Sequence, residues 1–190
     1  MLQFITDKLS AGALIVSQLL LTAVVGTDPY FVDVSLELRD ERLMYTATLA
    51  ESFTPDMDVL LQSGDTVTIH FELDLVNLQT DSVVAIADWE HQFLYSILED
   101  EYTVYKTESD RLIHSYNFFE AKQEWVHIRR AFFCKLDVLE DELQYALRVS
   151  AYMDEMDMPG ITDKVNLMSY WNRIRPAHIS EPFMLRNLEQ

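Results

Sequence analysis

The chain has 190 residues, of which 32 are acidic and 14 basic, so its formal net charge is −18 at pH 7. Hydrophobic residues make up 49% of the sequence and only four glycines and five prolines occur, which excludes a disordered or low-complexity chain. Phosphate backbones repel so acidic a protein, and its tightest basic cluster, Arg129 and Arg130, is too small to bind them. We therefore expect no nucleic-acid partner.

An uncharged apolar segment spans residues 11–25, shortly after Lys8. A helix that crosses a bilayer takes roughly 20 predominantly apolar residues, so this segment is short for a membrane span. Its length fits the hydrophobic region of a secretory signal, and Val24-Val25-Gly26 offers a cleavage site with a small last residue. An uncleaved membrane anchor and a buried core helix are the alternatives.

The leader divides the chain into two parts. Residues 1–26 are predicted to be a signal peptide or a membrane anchor, and residues 27–190 a single β-rich domain. The protein is then exported and is periplasmic or associated with the bacterial envelope. If the leader is uncleaved, residues 9–26 are its contact with the membrane.

From Tyr30 onward, apolar and polar residues alternate with the period of two that is typical of strands with one buried face. Asp40-Glu41 interrupts this alternation and predicts a tight turn between two antiparallel strands. The positions expected to face the core are Val32, Val34, Leu36 and Leu38, then Tyr45, Ala47 and Leu49. The third strand is the clearest, with buried positions at Val67, Ile69, Phe71, Leu73 and Leu75.

Two helices are predicted among the strands. Thr54 and Pro55 are typical of the N-cap and the first position of a short helix at about 55–63, which Gly64 ends. Asn117, with Glu120 three residues later, has the spacing of a capping box at the start of an amphipathic helix over about 117–130. The apolar stripe of this helix comprises Phe118, Ala121, Trp125 and Ile128.

The remaining alternations predict further antiparallel strands. One hairpin turns at 99–101, a short strand follows at about 112–115, and a second hairpin is expected to join 136–139 to 145–153. Residues 165–171 form another predicted strand, and the tail adds one edge strand. Because each hairpin has one apolar face, a second layer must cover it. We predict a mainly β fold, an antiparallel two-layer β-sandwich-like domain preceded by an apolar leader helix. One curved sheet closed by the longer helix is the alternative.

Short motifs in the second half of the chain have a recognisable order. They are Phe93-Leu-Tyr95 through Tyr102-Thr-Val104, Asn117-Phe118, Leu147-Arg-Val149, Met158-Pro159, Asn166-Leu167 and Trp171-Asn172. In this order the chain, over roughly residues 30–175, resembles domain-of-unknown-function family 4390, a bacterial family of exported proteins. The resemblance implies export and a β-rich fold, and it supplies no reaction and no catalytic residues. Met158-Pro159-Gly160, where the family usually has Leu-Pro, and the strong acidity depart from the family pattern.

Patterns for catalysis or metal binding are weak. No two of the five histidines lie two or four residues apart, so no local metal-ligand pair occurs, and His91, between Trp89 and Phe93, is predicted to be a hydrogen-bonded core residue. Cys134, with apolar neighbours, is predicted to be a buried, inert thiol, with an intermolecular disulfide as the alternative. One acidic loop offers carboxylate oxygens as a weak calcium candidate, formed by Asp154, Asp157 and Asp163. We expect no catalytic residues, no cofactor and no other metal site.

The sequence therefore favours a non-catalytic protein of the cell envelope that acts as a protein-interaction or structural module. Its expected partner is another envelope protein, bound through strand edges or through the acidic surface. The alternative is a carrier of an apolar, lipid-like ligand, held between the sheets or inside a closed barrel by aromatic residues such as Trp89, Phe93 and Trp125. The oligomeric state stays open.

Overall fold

The computed structural model describes residues 26–157 and 163–188. The predicted leader, apart from Gly26, lies outside the described residues, and so does the centre of the loop that contains Pro159-Gly160. None of the helices in the described ranges is long and apolar enough to cross a membrane.

The described residues form two main antiparallel sheets and a two-stranded ribbon. The strands are β1 (Tyr30–Arg39), β2 (Arg42–Ala50), β3 (Val67–Asn77), β4 (Ser82–Ser96), β5 (Glu101–Lys106), β6 (Arg111–Ser115), β7 (His127–Lys135), β8 (Tyr145–Met153), β9 (Glu155–Met156), β10 (Val165–Asn166) and β11 (Ala177–Ile179). The α-helices are α1 (Pro55–Leu61), α2 (Phe118–Val126) and α3 (Leu185–Leu188). One sheet has the order β1-β2-β7 and the other β11-β8-β3-β4-β5-β6, while β9 and β10 form the ribbon.

Apolar side chains of the two sheets fill one core between them. Phe31 of β1 packs against Phe71 of β3 with ring centroids 6.4 Å apart, and Tyr45 of β2 packs against Trp89 of β4 at 6.3 Å. Each predicted core position of β3, at alternate residues from 67 to 75, is at most 1% exposed. The prediction of a mainly β, two-layer fold is confirmed, because burial alternates as the sequence pattern does.

The first strand departs from strict alternation at Asp33. This residue has a φ of 53°, and the pairing of β1 with β2 shifts between Val32 and Ser35. The extra residue of such a bulge exchanges the two faces of a strand. Phe31 rather than Val32 therefore enters the core, while Val34 packs against the core as predicted.

Both predicted helices are shorter in the structure. The longer helix was expected over about 117–130, but α2 ends at Val126 and His127–Lys135 form strand β7. A bulge at Arg130, with a φ of 47°, places the buried residues Ile128 and Ala131 three positions apart. This is the spacing of a helical stripe, so a bulged strand produced the helix-like pattern. The helix expected at about 55–63 ends at residue 61.

Of the strands predicted in the last third of the chain, the one at 136–139 is wrong, and the one at 165–171 is confirmed only at Val165–Asn166, which form β10. Leu136–Val138 form a 3-10 turn, because β8 has β3 on one edge and β11 on the other and leaves no edge for a hairpin partner. Leu167–Trp171 also form a 3-10 turn, which Asn166 caps by accepting a hydrogen bond from the backbone N of Met168 at 2.9 Å. The edge strand predicted for the tail is confirmed as β11.

Candidate functional site

The six-stranded sheet ends at β6. In the part of the chain that the structure describes, β6 pairs only with β5, from Lys106 opposite Arg111 to Tyr102 opposite Ser115. The backbone groups on its other side are therefore open to a further strand. We call residues 111–115 the β6 edge.

Three large apolar side chains beside the β6 edge are exposed to solvent. Leu112 is 54% exposed, Tyr116 78% and Phe119 66%. We call these three residues the apolar rim. Leu112 lies on the face of β6 away from α2 and Phe119 lies on α2, so the rim flanks the open strand on both faces of the sheet. Exposed apolar side chains mark interaction surfaces, and aromatic residues are enriched at such interfaces. The open strand and the rim together have the composition of a docking surface.

A groove of about 330 Å³ separates β6 from the first turns of α2. Its apolar lining comes from Ile113 and Phe119. Its polar lining comes from His114, Ser115, Glu120, Gln123 and Glu124. A side chain that enters this groove from an added strand would therefore meet both apolar and acidic groups.

Polar caps at the start of α2 leave Phe119 outside the core. The Asn117 Oδ1 accepts hydrogen bonds from the backbone N of Phe119 at 2.9 Å and of Glu120 at 3.2 Å, as the capping pattern predicts. Ser115 completes the cap, because its Oγ accepts from the backbone N of Asn117 at 3.0 Å and donates to Glu120 Oε2 at 3.3 Å. With its start fixed in this way, α2 buries Trp125 and exposes Phe119.

A buried polar network lies beneath the β5–β6 hairpin. Trp125 Nε1 donates to the backbone O of His91 at 2.7 Å, and His91 Nδ1 lies 2.6 Å from the backbone O of Trp125. The other ring nitrogen of His91, Nε2, lies 3.2 Å from Glu108 Oε2, and the two side chains are 0% and 3% exposed. The prediction that His91 is a hydrogen-bonded core residue is confirmed.

Lys106, at the end of β5, contributes a further buried charge. Its Nζ donates to Glu124 Oε2 at 3.1 Å and to the backbone O of His127 at 2.8 Å. Burial lowers the pKa of Lys106, although Glu124 favours its charged form. Burial also opposes ionisation of Glu124, but the hydrogen bond and charge of Lys106, together with Arg129, outweigh it and lower the pKa of this carboxyl. The pair ties the β5–β6 hairpin to the junction of α2 and β7.

The Lys106–Glu124 pair predicts a loss of stability in acid. Because the folded protein holds the pKa of Glu124 below its ordinary 4.5, the contribution of this group is complete above that value and declines as the pH falls through the folded pKa. We expect the difference in unfolding free energy between wild type and Glu124→Gln, measured in urea from neutral pH down to about pH 3, to shrink on acidification. A difference that widens toward low pH contradicts the pairing.

Lys106 and Glu108 were not among the residues predicted from the sequence. Lys106 follows Tyr102 and Val104 at alternate positions, and all three are buried in β5. The period of two in β5 would therefore have predicted that the side chain of Lys106 is buried. Glu108 lies in the turn between β5 and β6, where no periodicity indicates that its side chain folds back to His91.

A second groove, of about 500 Å³, lies between β1 and β11, the end strands of the two sheets. Its apolar lining includes Phe31, Val34, Leu36, Ile179, Phe183 and Leu188. Asp33, His178 and Glu181 add polar groups. Small-molecule sites have volumes of about this size and a similar balance of apolar lining and a few polar groups.

Of the weak calcium candidate, Asp154 lies between β8 and β9, and Asp157 and Asp163 lie between β9 and β10. Asp154 Oδ2 lies 2.8 Å from His70 Nε2, and Asp157 Oδ2 lies 3.9 Å from Lys164 Nζ. Within residues 26–157 and 163–188, no three His, Cys, Asp or Glu side chains group as metal ligands, so Asp154, Asp157 and Asp163 are not brought together there. Because residues 158–162 lie outside the described ranges, calcium binding stays a prediction, which melting curves with calcium and with a chelator test.

Cys134 is buried in β7, with 8% of its surface exposed. Burial, with a contribution from Asp137, raises the pKa of its thiol to about 11. Because the thiolate is the reactive form, we expect iodoacetamide at about pH 8 to alkylate the native protein roughly a hundredfold more slowly than the urea-unfolded protein. Mass spectrometry of timed samples measures both rates, and equal rates are incompatible with a buried thiol.

The fold defines the class of protein as a small antiparallel β domain. Its distinguishing feature is the open β6 edge beside the apolar rim. The family model described as Domain of unknown function (DUF4390) matches residues 30–173. This range includes every strand of the described residues except β11. The chain belongs to this family, as the order of its motifs indicated. Comparisons with curated proteins and with solved structures give no match.

Proposed function

We propose that this protein is a non-catalytic module of the bacterial cell envelope that binds another envelope protein at the β6 edge. The observation that carries the proposal is the coincidence of an open strand with the exposed apolar rim of Leu112, Tyr116 and Phe119. Extended segments bind such edges by adding a strand, in which main-chain hydrogen bonds give affinity and side-chain contacts give specificity. The rim offers those contacts.

The burial of the polar network supports a structural role for it. His91 and Glu108 have the chemistry of an acid–base pair, but their side chains are 0% and 3% exposed. A general acid or base must come within hydrogen-bond reach of its substrate. The network instead joins β4, the β5–β6 turn and α2, and so holds the hairpin that carries the β6 edge.

Export is supported by the apolar segment 11–25, whose length fits the hydrophobic region of a secretory signal. N-terminal sequencing of the protein from separated cell fractions tests it. We expect the protein in the periplasmic or membrane fraction, either cleaved near Gly26 or anchored by an intact leader. An intact Met1 on protein recovered from the soluble cytoplasm contradicts export.

Crosslinking of the native envelope followed by pull-down tests the docking surface. The double variant Leu112→Asn/Phe119→Ser is expected to lose the crosslinked partner that the wild type retains. Ile86→Asn/Val138→Ser is the matched control, because Ile86 is 63% and Val138 42% exposed outside the rim. Exposed substitutions change stability by about 0.5 kcal/mol or less each, so both variants should fold. Retention of the partner by the rim variant contradicts the proposal.

The groove between β1 and β11 favours a second candidate function, a carrier of an apolar ligand. Its volume of about 500 Å³ and its lining of Phe31, Leu36 and Phe183 suit an acyl chain. Native mass spectrometry of the purified protein tests this function. A bound lipid that Leu36→Glu removes supports the carrier, and a wild-type protein that purifies without any bound mass rejects it.

A further inference from the structure

We propose that the segment bound at the β6 edge carries an apolar or aromatic residue and a Lys or Arg two positions away, both facing the groove beside α2. This inference rests on the proposed function, since it specifies the chemistry of the partner at the same edge. It follows from the direction of the side chains of an added strand and from the charges that line the groove.

The direction follows from the pleat of the sheet. Ile113 lies opposite Val104 and Ser115 opposite Tyr102, and both β5 residues are buried in the core. Ile113 and Ser115 therefore mark the inner face of β6, the face toward α2. In a strand added to β6, every second side chain lies on this same face, so residues at positions i and i+2 reach the groove together.

The charge follows from Glu120 and Glu124, the two carboxylates that line the groove, whereas its one histidine, His114, lies 3.1 Å from Glu101. Glu124 is shared by Lys106 at 3.1 Å and Arg129 at 3.8 Å. Glu120 is exposed and accepts a hydrogen bond from Ser115, but no Lys, Arg or His nitrogen among the described residues lies within 4.0 Å of its carboxylate. A basic side chain of the partner supplies the missing cation beside the apolar surface of Phe119.

The net charge of the whole chain, −18, also favours a basic partner. It repels an acidic segment, a nucleic acid or an anionic membrane and attracts a basic segment during encounter. An extended basic and apolar segment of another protein is therefore the occupant that satisfies the open strand, the apolar rim and Glu120 together.

Fluorescence anisotropy with labelled synthetic peptides and the full-length protein tests the inference. In the basic peptide every second residue is Thr, and the residues between them are Lys, Phe and Lys. In an extended strand, Lys and Phe then lie on one face and Thr on the other. A second peptide has Glu in place of Lys, and a third has the composition of the first with each Lys moved by one position to the opposite face. We expect the basic peptide to bind most tightly, and Glu120→Gln to weaken its binding about fivefold, the upper range for an exposed ion pair.

One control variant and one separate measurement distinguish this inference from the proposed function. Glu142→Gln removes an exposed carboxylate elsewhere and should leave the affinity unchanged. If all three peptides bind Glu120→Gln and wild type equally, or if none binds, the inference is overturned. The docking proposal is tested separately, because it fails if Leu112→Asn/Phe119→Ser retains its crosslinked partner.

Discussion

Trp125→Ala is expected to destabilise the domain by about 3–5 kcal/mol, the usual cost of deleting a buried tryptophan. Trp125 is 0% exposed, and its ring packs against Phe93 at 5.5 Å and Phe53 at 6.1 Å. Alanine leaves a cavity among these rings. It also removes the indole N–H that satisfies the buried backbone O of His91.

Urea unfolding followed by circular dichroism measures this loss. Phe119→Ala is the matched control, because Phe119 belongs to the same helix but is 66% exposed, and we expect its effect to stay within about 0.5 kcal/mol. Small domains are stable by about 5–15 kcal/mol, so the Trp125 variant should unfold at clearly lower urea concentrations. Equal stabilities of the two variants contradict the packing of α2 on the core.

Lys106→Met is expected to cost about 2–3 kcal/mol. The substitution keeps most of the buried apolar volume but removes the cation of Glu124 and the donor to the backbone O of His127. Breaking a fully buried pair costs about 3–5 kcal/mol. We expect less here because Glu124 is 31% exposed and Arg129 stays 3.8 Å from its carboxylate.

Two further variants identify the cause of that loss. Lys164→Met removes a lysine that is 58% exposed and lies 3.9 Å from Asp157, so its effect should be within about 0.5 kcal/mol. Lys106→Met/Glu124→Gln should recover part of the stability, because no uncompensated charge remains. If Lys106→Met is as stable as Lys164→Met, the buried pair does not hold the hairpin.

Alternation along the strands predicted most of the fold, and bulges account for the errors in β1 and β7. From Val67 to Leu75 of β3 the period of two is unbroken, so the sequence identified every core position in that range. One extra residue at Asp33 moved Phe31 into the core, and another at Arg130 gave β7 the spacing of a helix. A bulge depends on how the partner strand pairs, which a local pattern does not contain.

The candidate site was less predictable because it depends on the order of strands in the sheet. The edge of β6 is open because β6 is the last strand of the six-stranded sheet. The hairpin expected before Tyr145 does not form because β8 lies between β3 and β11. Both depend on pairing between strands that are far apart in the sequence. The capping pattern at Asn117 was local and was correct, and it positions Phe119. The sequence predicted docking at a strand edge, but it did not indicate which strand has an open edge beside exposed apolar side chains.

Site-specific photocrosslinking in living cells tests most directly whether the partner binds at the β6 edge. A photoreactive amino acid is placed at Leu112, at Phe119 or, as the control, at Val138, which is 42% exposed outside the rim. We predict one adduct of the same mass from Leu112 and Phe119 and none from Val138. An adduct from Val138 alone, or no adduct from either position of the rim, would contradict docking at the β6 edge.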